Sequence, residues 1–191
     1  MVDIIIVGAG VVGSMIARTL SKYKLDILVL EKENDVGNGA SCANSAIIHS
    51  GYDPSPGSLK AILNVRGNYL FDKIAQELDV EFIRNGSITL ANTQEEVEIL
   101  DSLVERAKLN GVLVQMLNHD ELKKIEPSIT DKVIKGLLAP TCGIINPFEL
   151  VVAAMENAMD NGVKLHLCEE VESINKFDNY FVVKTNKNTY E

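Results

Sequence analysis

No apolar run in this chain approaches the roughly 18 to 20 residues that a membrane-spanning helix needs, so no transmembrane segment is expected. The start, MVDIIIVG, lacks the basic segment and small-residue cleavage site of a secretory signal and reads instead as a first strand. Blocks of Lys or Arg are also missing. The 18 basic residues are scattered among 27 acidic ones, and a net charge of −9 leaves little attraction for nucleic acid or an anionic membrane face. The three cysteines, Cys42, Cys142 and Cys168, show neither CxxC spacing nor accompanying His pairs, so metal and thioredoxin-type readings find no support. Reduced, structural thiols are the expectation. Internal repeats, low-complexity tracts and long linkers are absent too. Together these absences point to a cytoplasmic protein without a metal centre.

What is present is concentrated in the first thirty-one residues. An apolar strand (Ile4, Ile5, Ile6, Val7) runs into Gly8-Ala9-Gly10-Val11-Val12-Gly13, then a helical segment, a second apolar strand (Ile27 to Leu30) and Glu31. This is the pattern of a dinucleotide-binding βαβ unit. Gly8 permits the tight turn, Gly10 lets backbone N–H groups approach a pyrophosphate, and Gly13 allows close packing of helix on strand. Glu31, at the end of the second strand, is placed to accept both hydroxyls of an adenosine ribose and would repel a 2′-phosphate. The ligand is therefore FAD or NAD rather than NADP.

After Glu31 comes a second Gly/Ser/Asn stretch, Asn34 to Ser45, able to offer further donors to a pyrophosphate. Two such turns suit the longer FAD better than NAD. Apolar residues from Leu59 to Leu78 at three-to-four spacing predict a helix over 57–79, followed by two short strands hinged at Asn85-Gly86. Thr93 with Glu96 predicts a capping box for a helix to about Leu109. A strand (Val112 to Leu117), a short helix opened by Asn118 with Glu121 and a strand (Val133 to Ala139) follow. Asn146-Pro147 opens a helix that Asn161-Gly162 stops, and three strands (163–168, 171–175, 180–185) come last. The expected fold class is α/β: a Rossmann-like FAD/NAD(P)-binding βαβ domain formed by residues 1–80 and 144–191, with an inserted α+β substrate-side lobe at 81–143. The turn at Asn186-Lys187-Asn188 leaves only three residues, so the final strand is expected to be unpaired and the chain to be part of a longer protein.

Three segments carry a family resemblance: Asp3 to Glu31; Asn44-Ser45-Ala46-Ile47-Ile48-His49-Ser50-Gly51 leading into Pro56-Gly57-Ser58-Leu59-Lys60-Ala61; and Ala139-Pro140-Thr141-Cys142-Gly143-Ile144-Ile145-Asn146-Pro147. The sequence resembles the amino-terminal half of the D-amino-acid-oxidase-like FAD-dependent oxidoreductases, in particular their glycerol-3-phosphate dehydrogenase and L-2-hydroxyglutarate oxidase branches. The resemblance implies FAD with its pyrophosphate over Gly8, Gly10 and Gly13 and over the loop at Gly39, Ala40 and Ser41. It implies Glu31, with Lys32 beside it, at the adenosine ribose and Val171 at the adenine, and it brings the segment from Asn44 and Ser45 to Gly51 towards the flavin. Where respiratory glycerol-3-phosphate dehydrogenases carry an arginine four residues after the His49 equivalent, this chain has Asp53. The family's second flavin-binding glycine segment lies in a carboxy-terminal half that this sequence does not contain.

The implied reaction moves a hydride from a small anionic secondary alcohol, glycerol 3-phosphate or a 2-hydroxy acid such as L-2-hydroxyglutarate, to flavin, with an unspecified electron acceptor afterwards. His49 is the candidate catalytic base, since an imidazole titrates near neutrality. A structural histidine is the competing reading. Lys60, Arg66 and Arg84 could assist an anionic substrate, although surface charge accounts for each as well. A reading of another class is a nucleotide-binding fragment without turnover. The chain by itself is expected to hold FAD weakly or not at all and to be inactive.

Overall fold

The computed structural model describes residues 2–191. In chain order the elements are β1 (Ile4–Val7), α1 (Val11–Leu20), β2 (Ile27–Leu30), β3 (Ile47–Ile48), α2 (Leu59–Leu78), β4 (Phe82–Ile83), β5 (Ser87–Ala91), α3 (Gln94–Leu109), β6 (Gln115–Asn118), α4 (His119–Ile125), β7 (Lys135–Ala139), β8 (Gly143–Ile145), α5 (Pro147–Asp160), β9 (Lys164–His166), β10 (Val171–Lys176), β11 (Phe181–Thr185) and β12 (Thr189–Tyr190). They form two compact units. The first comprises the residues up to Ser45, Glu77–Val80 and Asn146–Glu191; the second comprises Ala46–Gln76 and Glu81–Ile145.

The first unit is Rossmann-like. β1 pairs in parallel with β2, Ile4 opposite Ile27 and Val7 opposite Leu30, and β2 pairs in parallel with β9. All four residues of β2, Ile27 to Leu30, are buried, as a central parallel strand covered on both faces requires. Their side chains alternate between two cores. Ile27 and Val29 meet Ala17 of α1 and Val151, Met155 and Ala158 of α5, while Leu28 and Leu30 meet Val183 of β11. The β10-β11-β12 meander supplies the second layer. Its last strand is paired, contrary to the sequence expectation: Val183 lies opposite Tyr190 and Lys184 opposite Thr189. The Val2 N–H also donates to the Glu191 carbonyl at 2.8 Å, so the three residues after the turn suffice to add a strand.

The second unit holds two small antiparallel sheets, β3-β8-β4 and β5-β7-β6. Leu100 and Leu103 of α3 pack with Ala91 and Leu137, and Leu122 of α4 packs with Leu117, Ile129 and Val133. Helix starts follow the sequence closely. Thr93 caps α3, accepting the Glu96 N–H at 3.2 Å, but the Glu96 carboxylate reaches the Asn92 N–H rather than that of Thr93. At α4 the full reciprocal box between Asn118 and Glu121 is present. β3 and β8 carry no alternation long enough to read in sequence.

The unit boundary differs from the sequence-derived division mainly at one segment, besides a shift of two residues from 143 to Ile145. Residues 46–76 belong with 81–145, not with the nucleotide-binding unit. The cause lies in side-chain amides: Asn68 Nδ2 donates to the His49 carbonyl at 3.0 Å and the Thr141 carbonyl at 2.9 Å, and Asn110 Nδ2 donates to the Gly51 and Pro54 carbonyls at 3.0 and 2.8 Å. Among the described residues no helix is long and apolar enough to cross a membrane.

Candidate functional site

A cavity of about 450 Å³ opens in the first unit at the carboxyl ends of β1 and β2. Eight residues singled out from sequence line it: Gly8, Gly10, Glu31, Lys32, Gly39, Ala40, Ser41 and Val171. Gly13, Asn44 and Ser45 lie outside that lining. Gly13 serves packing, because a Cβ there would fall 2.0 Å from the Gly8 carbonyl oxygen. The Asn44 amide turns back on its own loop, donating to the Ala40 and Ser41 carbonyls at 3.3 and 2.6 Å.

Gly8 has φ +97°, the left-handed conformation that lets β1 turn sharply into α1. Gly10 is the N-cap of α1. It gives no side-chain cap, and no acidic residue stands in the first turn of this helix. Helices α3, α4 and α5, by contrast, each have a capping side chain and at least one acidic residue in the first turn. No acidic residue of its own first turn offsets the positive end of α1, which suits an anionic ligand. Ser41 Oγ sits over it, accepting the Val11 N–H at 2.9 Å and keeping its own hydrogen for a ligand oxygen.

Glu31 is buried, with 9% of its surface exposed. Its Oε2 accepts the Ala9 N–H at 2.7 Å and its Oε1 accepts the Glu33 N–H at 3.0 Å, so the carboxylate spans the glycine turn and its own strand end. Each oxygen retains lone pairs for hydroxyl donors. The second glycine-rich loop is docked on the first by the Gly37 N–H, which donates to the Ala9 carbonyl at 3.1 Å. Gly37 (φ +75°) is the glycine that this loop requires, because a Cβ would meet Cys42 Sγ at 3.0 Å and Val151 Cγ1 at 3.3 Å. At Gly39, the residue named from sequence, no atom lies within 4 Å of an added Cβ. Spacing alone cannot separate the two.

Sequence reasoning missed Glu33, Glu169 and Glu170 in the lining and did not single out Gly37 and Asn38 within the Asn34–Ser45 stretch. No local pattern marks Glu169. Burial would raise its pKa, but the hydroxyls of Thr185 and Tyr190, the Asn188 amide and His166 together hold the carboxyl down at about 2. Those partners come together only when the β11-β12 turn forms.

In the second unit His49 is exposed, and its carbonyl is held by Asn68. The chain beyond it is fixed by Asn110, and also by Arg106, which donates to the Asp53 carbonyl at 2.7 Å. Arg84 is fully engaged within this unit. It binds both Asp72 carboxylate oxygens, the side-chain and main-chain oxygens of Asn68, and the Thr141 carbonyl, and it covers the Phe82 ring 5.0 Å away. That leaves Arg84 no donor for an anionic substrate. His119 Nδ1 lies 2.8 Å from the Val133 carbonyl, a structural bond. The three cysteines are free thiols, and no metal-ligating cluster occurs among the described residues.

The cavity fits the adenosine and pyrophosphate part of FAD. It pairs a helix N-terminus that has no acidic residue in its first turn with a buried carboxylate, and a Cβ on Gly10 would come 3.0 Å from Ser41 Oγ and begin to fill the cradle. The chain is 47% identical over its whole length to a glycerol 3-phosphate dehydrogenase of Caloramator mitchellensis, covering 40% of that protein. Over 83% of its length it is 32% identical to a mitochondrial L-2-hydroxyglutarate dehydrogenase of Arabidopsis thaliana, covering 33% of it. The FAD-bound structure of L-alpha-glycerophosphate oxidase from Mycoplasma pneumoniae superposes with a TM-score of 0.91 at 30% identity, covering 98% of this chain and 50% of that one. The chain thus spans half or less of the length of these relatives. Residues 3–191 match the DAO family of FAD dependent oxidoreductases along almost the entire sequence, and the chain belongs to that family.

Proposed function

We propose that this chain is the nucleotide-binding part of an FAD-dependent enzyme that oxidises a small anionic secondary alcohol, with glycerol 3-phosphate as the first choice. The observation that carries the reading is the pairing of the α1 N-terminus, which has no acidic residue in its first turn, with the Glu31 carboxylate at one cavity. The 47% identity to a glycerol 3-phosphate dehydrogenase supports the substrate choice. A 2-hydroxy acid is the second reading, favoured by the L-2-hydroxyglutarate dehydrogenase relative and by Asp53, at the position where the family resemblance implies an arginine in respiratory glycerol-3-phosphate dehydrogenases.

In this reading FAD, when bound, supplies the hydride-accepting chemistry. The chain's own residues do the rest. The N–H groups at the α1 N-terminus that Leu30, Glu31 and Ser41 leave open, together with the Ser41 hydroxyl, bind pyrophosphate oxygens, Glu31 accepts the ribose hydroxyls, Lys32 flanks it, and the Val171 backbone meets the adenine. Asn44 and Ser45 are assigned to the same cofactor. His49 takes the proton of the substrate hydroxyl, and the protein acts in the cytoplasm with a separate electron acceptor.

The test is the visible spectrum of the intact gene product. A yellow protein bleached anaerobically by glycerol 3-phosphate supports the reading, bleaching by L-2-hydroxyglutarate alone moves it to the second, and a colourless protein that takes up no FAD overturns it. His49→Ala is expected to retain flavin and to lose roughly 10²- to 10⁴-fold in turnover.

A further inference from the structure

One buried carboxylate in the cavity lining, Glu169, has no part in the cofactor contacts proposed above. Glu169 is 3% exposed. Its Oε1 accepts the Thr185 hydroxyl at 2.7 Å, the Tyr190 hydroxyl at 2.8 Å and Asn188 Nδ2 at 3.1 Å, three donors from β11, β12 and the turn between them. Its Oε2 lies 3.1 Å from His166 Nδ1. The same nitrogen is 3.0 Å from Tyr190 Oη. Because the tyrosine hydroxyl donates to Glu169, its oxygen is the acceptor towards His166, and this network puts a proton on Nδ1.

The backbone of the same segment is tied to Glu31 on both sides. The Glu31 N–H donates to the His166 carbonyl at 2.9 Å, and the Glu169 N–H donates to the Glu31 carbonyl at 2.8 Å. Between them Cys168, whose N–H donates to the Glu33 carbonyl at 2.8 Å, sits at φ +54°. A residue with a Cβ holds that conformation only where its surroundings impose it. Here the fastening is the Glu169 side chain, which anchors the segment to the β11-β12 turn. The segment runs directly into Glu170 and Val171 in the cavity lining.

We propose that Glu169 is the positioning residue for the adenosine end of the cavity: by clamping residues 166–171 to the β11-β12 turn it sets where the Glu31 carboxylate and the Val171 backbone stand. The proposal rests on the reading that this cavity takes the adenosine diphosphate part of FAD. It assigns a ligand-directed role to a side chain that need not touch the ligand.

The experiment is an NMR titration of the 191-residue chain with ADP, which reads weak dissociation constants directly and requires no turnover. Glu169→Leu is expected to raise the ADP dissociation constant about tenfold, and Tyr190→Phe, which removes one of the three donors on Oε1, about threefold. In a Glu31→Gln background each change is expected to cost less than about twofold, because the group it positions is already altered. A merely structural Glu169 would instead give the same loss in both backgrounds, and that result overturns the proposal. Unchanged affinity in both Glu169→Leu and Tyr190→Phe, with binding still abolished by Gly10→Val, also overturns it while leaving the cavity reading intact. A parent chain that shows no saturable shifts at Gly8, Gly10 or Ser41 overturns both. If Glu169→Leu does not fold, Tyr190→Phe with its Glu31→Gln partner makes the same comparison.

Discussion

The Glu31 carboxylate accepts the Ala9 backbone N–H at 2.7 Å, joining the end of β2 to the glycine turn after β1 across 22 positions of sequence. The residue proposed to hold the ribose thus also braces the turn proposed to hold the pyrophosphate, and disturbing either end displaces the other.

Replacing Glu31 by Ala removes a charged acceptor from the proposed ribose site and leaves the Ala9 N–H without its partner. Loss of such a bond costs about 1.5 to 3 kcal/mol, a fall in ADP or FAD affinity of roughly ten- to hundredfold. Fluorescence or calorimetric titration of the variant checks this, and unchanged affinity would remove Glu31 from the site.

Gly13 and Gly39 are expected to respond oppositely to alanine. A Cβ on Gly13 would stand 2.0 Å from the Gly8 carbonyl oxygen, whereas at Gly39 nothing lies within 4 Å. Gly13→Ala should destabilise by at least about 2 kcal/mol, since backbone must move. Gly39→Ala should fall within about 0.5 kcal/mol of the parent. Urea unfolding of the two variants decides it.

Arg84 is expected to behave as a stability residue. Its guanidinium meets both oxygens of Asp72, and that hydrogen bonding, working against burial, holds the Asp72 carboxyl below its usual range. Arg84→Lys should recover little of the stability lost in Arg84→Met, because a single ammonium cannot reproduce the planar fork that serves Asp72, Asn68 and Thr141 together. Thermal unfolding of the pair tests this. A loss of substrate affinity without a loss of Tm would return Arg84 to the substrate.

Glu169 makes the stability of the first unit sensitive to acid. Its folded pKa of about 2 lies below the ordinary value of 4.5, so its contribution is fully present above about pH 4.5 and is lost as pH falls towards 2. The sign follows from the unfolded chain binding the proton more tightly, and the size is roughly 3 kcal/mol. Glu169→Gln should lower stability at pH 7 and flatten its dependence between pH 4.5 and 2, as measured by denaturant unfolding across that window.

Much of the first unit was legible in sequence because its determinants are local. Ile4 to Val7, the three glycines, Ile27 to Leu30 and Glu31 follow one another within a single βαβ unit, and side-chain chemistry caps α5 here, as it caps α3 and α4 in the second unit, within three residues of each start. The burial of β2 follows from an apolar strand that needs cover on two faces.

Other features were decided only in three dimensions. β3 and β8 are two- and three-residue strands stabilised by pairing with each other, so no periodicity announces them. The membership of residues 46–76 was set by the Asn68 and Asn110 amides, whose carbonyl acceptors lie up to 73 positions away. The Glu169 cluster draws on His166, Thr185, Asn188 and Tyr190, which share no spacing rule until β12 pairs with β11. The sequence by itself determined the glycine turn, its carboxylate and the helix caps, because backbone conformation and short-range hydrogen bonding act over a few residues. Tertiary structure alone decided that Gly37 rather than Gly39 needs its missing side chain, that Arg84 has no donor to spare and that Glu169 is buried as an anion, because each depends on which distant atoms arrive beside it.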